Sequence, residues 1–150
     1  MKKILLITLI FILQSFPSFG NSIDGKGLVC EHINKEDPYL KNHYLGLLFG
    51  DETMRMFLFK RSNDEVLLED HRTFRYYTDK DQIYWINYKH KDYVDRKTLN
   101  LIQHSYSDDK KIHTHRCMVY ENHYLFMKEL HRIRKLKQRI YNESLRDNKI

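Results

Sequence analysis

Three side chains near the end of the chain have the spacing of a metal-binding set. His113, His115 and Cys117 alternate along a predicted strand, and alternate residues of a strand point to the same face of its sheet. Imidazole and thiolate groups are ligands that zinc and copper accept. A His-x-His pair supplies only two ligands, whereas structural or catalytic sites need three or four. His113 and His115 are therefore candidate metal ligands, and the alternative is that Cys117 is consumed by a disulfide.

Most of the nine histidines lie in polar stretches with no common spacing. This scatter is typical of solvated side chains, and we expect no metal or other cofactor to be held by them. The group comprises His43, His71, His90, His104, His123 and His131.

The chain has two cysteines, Cys30 and Cys117, close to opposite ends of the predicted β-region. An exported protein meets an oxidising compartment, where a pair of cysteines most simply forms one disulfide. Two free thiols, or two thiolate ligands of a metal, are the alternatives.

Recognisable enzyme motifs are missing from the sequence. It has no nucleophile elbow, no glycine loop that could cradle a phosphate and no His-Glu-x-x-His helix. No catalytic residue is predicted, and the expected role is non-enzymatic binding in the cell envelope. The alternatives are a small enzyme of unrecognised type and a histidine-based metal-binding protein.

The first twenty residues have the order of a secretory signal. Lys2 and Lys3 precede a ten-residue apolar run over 4–13, and the small residues Ser18 and Gly20 follow. Ten helical residues span about 15 Å, which is half of a bilayer core. We therefore expect cleavage near Gly20 and a periplasmic or secreted protein, rather than a transmembrane anchor.

Length and composition predict one β-rich domain over residues 21–120. The chain has 150 residues, of which 41% are hydrophobic and 31% charged. Seven or eight short runs with strand character recur between polar turns, which is typical of an antiparallel meander. The fold class predicted is mainly β, a small barrel or sandwich followed by a C-terminal amphipathic helix. The fourth strand is expected to bend near Asp70 and His71, and Trp85 is expected to be buried in a central strand.

After residue 120 the hydrophobic period changes from two to that of a helix. Steps of three or four residues join Phe126, Leu130, Ile133, Leu136 and Ile140. Asn122 is the expected N-cap, and the helix is predicted over about 122–144, within a C-terminal segment of 121–150.

The same C-terminal segment carries an excess of positive charge, with eight Lys and Arg against four Asp and Glu. One interpretation is an anion-binding surface for a membrane, lipopolysaccharide or an acidic protein. Nucleic acid is a weaker candidate than these partners, because export separates the protein from nucleic acid. The alternative is a helix that docks on the β-domain and leaves its basic side chains in solvent. The predicted surface consists of Arg132, Arg134, Lys135, Lys137 and Arg139.

Aromatic residues recur in the predicted strands and have two interpretations. They could line a pocket for a small apolar ligand, as in lipocalin-like barrels, or they could fill the core. The residues are Phe74, Tyr76, Tyr77, Tyr84, Trp85, Tyr88 and Tyr93.

Two segments resemble a group of short exported bacterial β-rich proteins without a characterised activity. The first is Gly-Lys-Gly-Leu-Val-Cys over 25–30, and the second is Tyr-Val-Asp-Arg-Lys-Thr-Leu-Asn-Leu over 93–101, followed by Cys117 in a late strand. Proteins of this group have one cysteine in the first strand and one in the last. The resemblance covers residues 25–119 and implies a β-meander core but no activity. The long basic helix after Cys117 departs from the short ending of the group.

Overall fold

Eight antiparallel strands form a closed barrel, and one helix follows them. The computed structural model describes residues 23–33, 43–105 and 112–147, so the predicted signal segment and its cleavage site lie outside the described residues. Each strand pairs with the next along the chain, and the last pairs with the first. The elements are β1 (Gly27–His32), β2 (Tyr44–Gly50), β3 (Thr53–Ser62), β4 (Glu65–Thr78), β5 (Gln82–Asn87), β6 (His90–Asp95), β7 (Asn100–His104), β8 (Ile112–Tyr120) and α1 (His123–Asp147).

The barrel closes where β1 meets β8, and the disulfide lies on this seam. Cys30 is opposite Cys117 in the ladder, and their sulfurs are bonded. The predicted pairing of these cysteines in the first and last strands is confirmed. A disulfide of this kind is typical of proteins outside the cytoplasm.

The interior of the barrel is filled by the inward-facing residue of each alternating pair. Trp85 is fully buried in β5, as predicted, and it packs among Leu47, Met54, Val94 and Leu101. In an eight-stranded barrel the interior is just wide enough for side chains to fill it. The mainly β prediction is confirmed, and of the two predicted architectures the barrel is the one observed.

The predicted bend in the fourth strand is a β-bulge. In the β3–β4 ladder Met56 pairs with Arg72 and Phe57 pairs with Asp70, so His71 is the extra residue. Such an insertion locally redirects the strand. Beyond the bulge, β3 and β4 continue as a long hairpin.

The helix docks on the outside of the barrel, where a second apolar core forms. The Asn122 side chain accepts a hydrogen bond from the N–H of Leu125 at 2.9 Å, which confirms the predicted N-cap. Phe126, Leu130 and Ile133 are at most 1% exposed and pack against outward-facing residues of β1 and β3. The last residue of the predicted stripe, Ile140, is 40% exposed.

Further along, the helix reaches the edge of the β3–β4 hairpin through Gln138. The Gln138 side-chain oxygen accepts a hydrogen bond from the N–H of Val66 at 2.7 Å, and its amide nitrogen donates to the carbonyl of Asp64 at 2.8 Å. The helix is therefore held by polar contacts at one end and apolar packing at the other.

Loss of the disulfide should lower the stability of the fold substantially. The two cysteines are 87 residues apart in sequence, and a cross-link over such a loop contributes roughly 4–5 kcal/mol by its effect on the unfolded chain. We expect Cys30→Ala/Cys117→Ala to lower the free energy of unfolding by that amount in urea titrations. In a reducing agent the difference between wild type and variant should shrink to about 1 kcal/mol or less. A loss of that small size under oxidising conditions would contradict the prediction.

A methyl group at Gly27 should displace the helix. A Cβ built there would overlap the ring of Phe126 and lie 2.7 Å from its Cβ, whereas a Cβ at Gly50 meets nothing within 4 Å. We expect Gly27→Ala to cost about 1–3 kcal/mol, the usual range for overpacking, and to speed tryptic cleavage of α1. Gly50→Ala is the matched control and should behave like wild type. Equal cleavage rates for the two variants would show that the close approach does not hold the helix.

Candidate functional site

The meander brings seven of the nine histidines to one end of the barrel. Odd-numbered strands finish at this end and even-numbered strands begin there, so residues far apart in sequence meet. Six of the seven line a cavity of about 320 Å³, and the ring of the seventh, His90, stacks on that of His104 at 4.9 Å. The cavity histidines are His32, His43, His71, His104, His113 and His115.

The rest of the cavity wall has an apolar and a polar part. Leu45, Met56 and Leu58 supply the apolar part, from β2 and β3. Amide and hydroxyl groups supply the polar part, on Asn87, Gln103 and Ser105. A volume of this size lies at the lower end of the range for small-molecule sites.

A gap in the barrel wall borders the cavity. Strand β4 pairs with β5 only through Tyr76, Tyr77 and Thr78. Upstream of these residues the described ladder joins β4 to β3 alone. His71 on β4 and Asn87 at the end of β5 both line the cavity, which therefore lies where the two strands separate.

Ladder register places His32 beside His115. These two residues are paired across the β1–β8 seam, two positions beyond the disulfide on each strand. Because side chains alternate, the imidazoles face the interior on the same side as the sulfurs. The ring centroids of His32 and His115 are 4.8 Å apart.

Two further imidazoles complete a four-histidine cluster, which consists of His32, His43, His113 and His115. The ring of His113 lies 5.7 Å from that of His32, and the ring of His43 lies 5.7 Å from that of His115. The backbone of His43 is fixed next to β1, since its carbonyl accepts a hydrogen bond from the N–H of His32 at 2.9 Å. Three of the four side chains therefore project from the paired strands β1 and β8, and His43 lies directly before β2.

His115 is held in its neutral form. It is 1% exposed, and neither of its ring nitrogens has a hydrogen-bond partner among the described residues. Burial, followed by the charges of His43, His32 and His113, lowers the pKa of His115 from 6.5 to about 3. A buried polar group without a partner is unfavourable and calls for a bound group or a functional explanation.

His43 is also held neutral near pH 7. Desolvation by the surrounding protein, followed by the charges of Lys137, His32 and His113, lowers the pKa of His43 from 6.5 to about 4. Neutral imidazole has one nitrogen that can accept a hydrogen bond or bind a metal.

A buried carboxylate orients His104 at the end of β7. Asp92 is fully buried and accepts hydrogen bonds from the Asn87 amide at 3.1 Å and from the backbone N–H of His104 at 2.9 Å. The Nδ1 atom of His104 lies 3.4 Å from the same carboxylate. Carboxylates that contact one imidazole nitrogen fix the orientation and tautomer of the ring.

Some of the predicted site residues meet in the cavity and some do not. His113 and His115 lie there together, but Cys117 is in the disulfide and has no thiolate to offer. Three further histidines, His43, His71 and His104, line the cavity, a grouping that was not predicted. His43 and His71 are nevertheless exposed, as are His123 and His131 on the helix, in agreement with the expectation of solvated side chains. None of the seven aromatic residues considered for a ligand pocket lines this cavity.

In the present side-chain conformations, the four-histidine cluster does not form a metal site. In the described part of the chain, no three His, Cys, Asp or Glu residues are arranged to hold an ion. Alternation along the strands, combined with the shared end of odd and even strands, is the sequence signal that would have grouped His32 with His113 and His115, whereas His43 precedes its strand and follows no alternation.

The basic helix residues differ in what they contact. The Lys137 ammonium lies 5.7 Å from the ring of Tyr44 and 5.6 Å from that of Phe59, and burial lowers its pKa. Arg132 forms an ion pair with Glu129 at 2.6 Å. The other members of the predicted anion-binding surface are exposed or half-buried: Arg134, Lys135 and Arg139. Anion binding by this surface stays a prediction.

Across the described residues, the only helix, α1, is too polar to be a candidate for crossing a membrane.

No protein-family model matches the chain, and neither a curated protein nor a solved structure matches it. The function is therefore argued from the geometry of the cavity.

The buried His115 should make the fold sensitive to acid. Above pH 6.5 its imidazole is neutral in both the folded and the unfolded chain. As the pH falls towards 3, the unfolded chain takes up a proton at this position and the folded chain does not, so stability decreases. At about 1.4 kcal/mol per pH unit, we expect a loss of about 2–3 kcal/mol between pH 6.5 and about pH 4.5.

Urea unfolding in EDTA at these two pH values, with His115→Leu beside wild type, measures this loss. The variant should lose about 2–3 kcal/mol less than wild type on acidification. His131→Gln, which changes an exposed helix residue, is the control and should keep the dependence of the wild type. If His115→Leu kept that dependence as well, the acid sensitivity would have another source.

Proposed function

We propose that this protein is a non-enzymatic binding protein that holds a small ligand in the histidine-lined cavity. The observation that carries the proposal is His115, which is buried at the cavity wall with two ring nitrogens that have no partner among the described residues. A ligand that hydrogen-bonds or coordinates to such a group lowers the free energy of the folded state, because the buried nitrogen then has a partner. An eight-stranded barrel can hold one small ligand where side chains leave part of the interior open, as they do at this cavity.

The cavity wall favours a ligand with one polar and one apolar part, or a small ion. Neutral imidazoles, the amides of Asn87 and Gln103 and the hydroxyl of Ser105 can hydrogen-bond a polar group, while Leu45, Met56 and Leu58 can contact an apolar one. The small apolar ligand that was one interpretation of the aromatic residues would contact only the apolar part of the wall. A purely apolar ligand would leave the ring nitrogens of His115 unsatisfied.

We also infer that the protein works outside the cytoplasm, in the periplasm or as a secreted protein. Two independent features support this: the signal-like order of residues 1–20 and the disulfide between Cys30 and Cys117. Membership of the group of exported β-rich proteins that the sequence resembles is proposed on the same cysteine positions. In this setting a binding protein would meet extracellular or envelope solutes.

Native mass spectrometry of untagged protein, purified from an exporting host without chelators, tests the proposal. We expect one non-covalent adduct per chain, which the Leu58→Trp variant should lose because the larger side chain occupies the cavity. Gln103→Trp is a second variant at the same wall, in case the first does not fold. Met118→Trp is the control, since Met118 is 56% exposed on the same barrel, and it should keep the adduct.

Two results would contradict the proposal. One is wild-type protein that carries no adduct after incubation with a concentrated extract of the medium and envelope of the host. The other is an adduct that persists in both cavity-filling variants, because the ligand would then bind elsewhere.

A further inference from the structure

We propose that the ligand of this cavity is a divalent transition-metal ion, held by the imidazoles of His32, His113 and His115 with His43 as the fourth ligand. The inference rests on the proposed function, because it names the chemical class of the ligand for the same cavity. Its foundation is the spacing of the four-histidine cluster together with the burial of His32 and His115.

Ring spacing in the cluster is that of imidazoles that share an ion. Zinc–nitrogen distances are about 2.0–2.1 Å, which places the centroids of two imidazoles on one tetrahedral ion about 5 Å apart. The three observed centroid distances in the cluster are 4.8, 5.7 and 5.7 Å. The rings are therefore close enough to share an ion without a change in the backbone.

Only side-chain rotation is needed to form the site. His32 and His115 are fixed opposite each other by the β1–β8 ladder, and His113 follows on the same face of β8. The backbone hydrogen bond from His32 to His43 fixes the fourth position. All four rings line the same cavity. In the present arrangement no three ligands of the described residues are placed to hold an ion, so the proposed site requires these rings to turn.

His115 supplies the independent reason to expect a ligand. Its imidazole is nine-tenths or more buried and lines the cavity, and both of its nitrogens lack a partner among the described residues. Metals bind imidazole through an unprotonated ring nitrogen, and neutral His115 has one such nitrogen without a partner among the described residues.

The donor atoms select the class of ion. Imidazole nitrogen suits zinc, copper and nickel, whereas magnesium and calcium prefer oxygen ligands. Copper(II) binds more tightly than zinc at most nitrogen sites. A site that selects zinc therefore does so through its coordination geometry.

Calorimetric titration of untagged, disulfide-bonded protein with zinc, glycine-buffered copper(II) or magnesium tests the proposal. We expect one zinc or copper ion per chain and no heat with magnesium. Loss of a direct ligand should weaken binding at least as much as loss of an outer-shell partner, which costs roughly 10–100-fold. His115→Phe is the main variant, and His113→Gln is the second in case the first does not fold. His131→Gln is the control, because it removes an exposed histidine of the helix, and it should bind like wild type.

A spectroscopic readout separates ligation from a structural effect. Nitrogen hyperfine splitting in the electron paramagnetic resonance spectrum of the copper(II) complex counts the bound imidazoles. We expect at least three in wild type and one fewer in His113→Gln. Tetrahedral cobalt(II) absorption in the visible range should appear in wild type and disappear in His115→Phe.

Each result either supports or overturns the inference. Equal affinity of wild type, His115→Phe and His113→Gln for zinc and copper would overturn it, as would the absence of binding. If metal binding failed while native mass spectrometry found an organic adduct that Leu58→Trp abolishes, the metal inference would fall and the proposed binding function would stand. If neither metal nor organic adduct were found, both would fall.

Discussion

The pairing of β1 with β8 is the constraint on which the rest of the structure depends. Among the described strands it is the one ladder between strands that are not neighbours in sequence, and the Cys30–Cys117 bond lies on it. A slip of one residue at this seam would turn every side chain of one strand to the other face. The covalent link fixes the register, and the register in turn sets His32 opposite His115.

Strand β1 is buried on both faces, which makes the helix part of the fold. Its inward residues face the barrel core, while Val29 on the outer face packs against Phe126 and Leu130 of the helix. Such an outward patch of a barrel would otherwise be an exposed apolar surface. The helix therefore completes the domain, and packing against Tyr44 and Phe59 explains why Lys137 is not a free surface charge.

Local sequence patterns determined much of the fold but little of the site. Alternation identified the strands, the inward position of Trp85 and the face shared by His113, His115 and Cys117, and a change to helical spacing identified α1. These features depend on neighbouring residues. The four-histidine cluster depends instead on which ends of which strands meet, and this requires the closed topology. His43 precedes its strand and His71 lies on a bulge, so neither follows a simple alternation. The helical stripe likewise predicts burial of Phe126 and Leu130 but not where Lys137 lies.

Gln138 also affects how readily molecules of this protein aggregate at high concentration. The first half of β4 is an edge strand, with β3 on one side and an unpaired side on the other, and such edges invite β-strands of other molecules to add to them. The Gln138 amide occupies part of that edge as another strand would, accepting from the N–H of Val66 and donating to the carbonyl of Asp64. Charged side chains at Asp70, Arg72 and Arg75 follow along the same strand, and charges on an edge discourage intermolecular pairing. The helix and the charges together guard against aggregation at this stretch, where the described ladder of the barrel wall is interrupted.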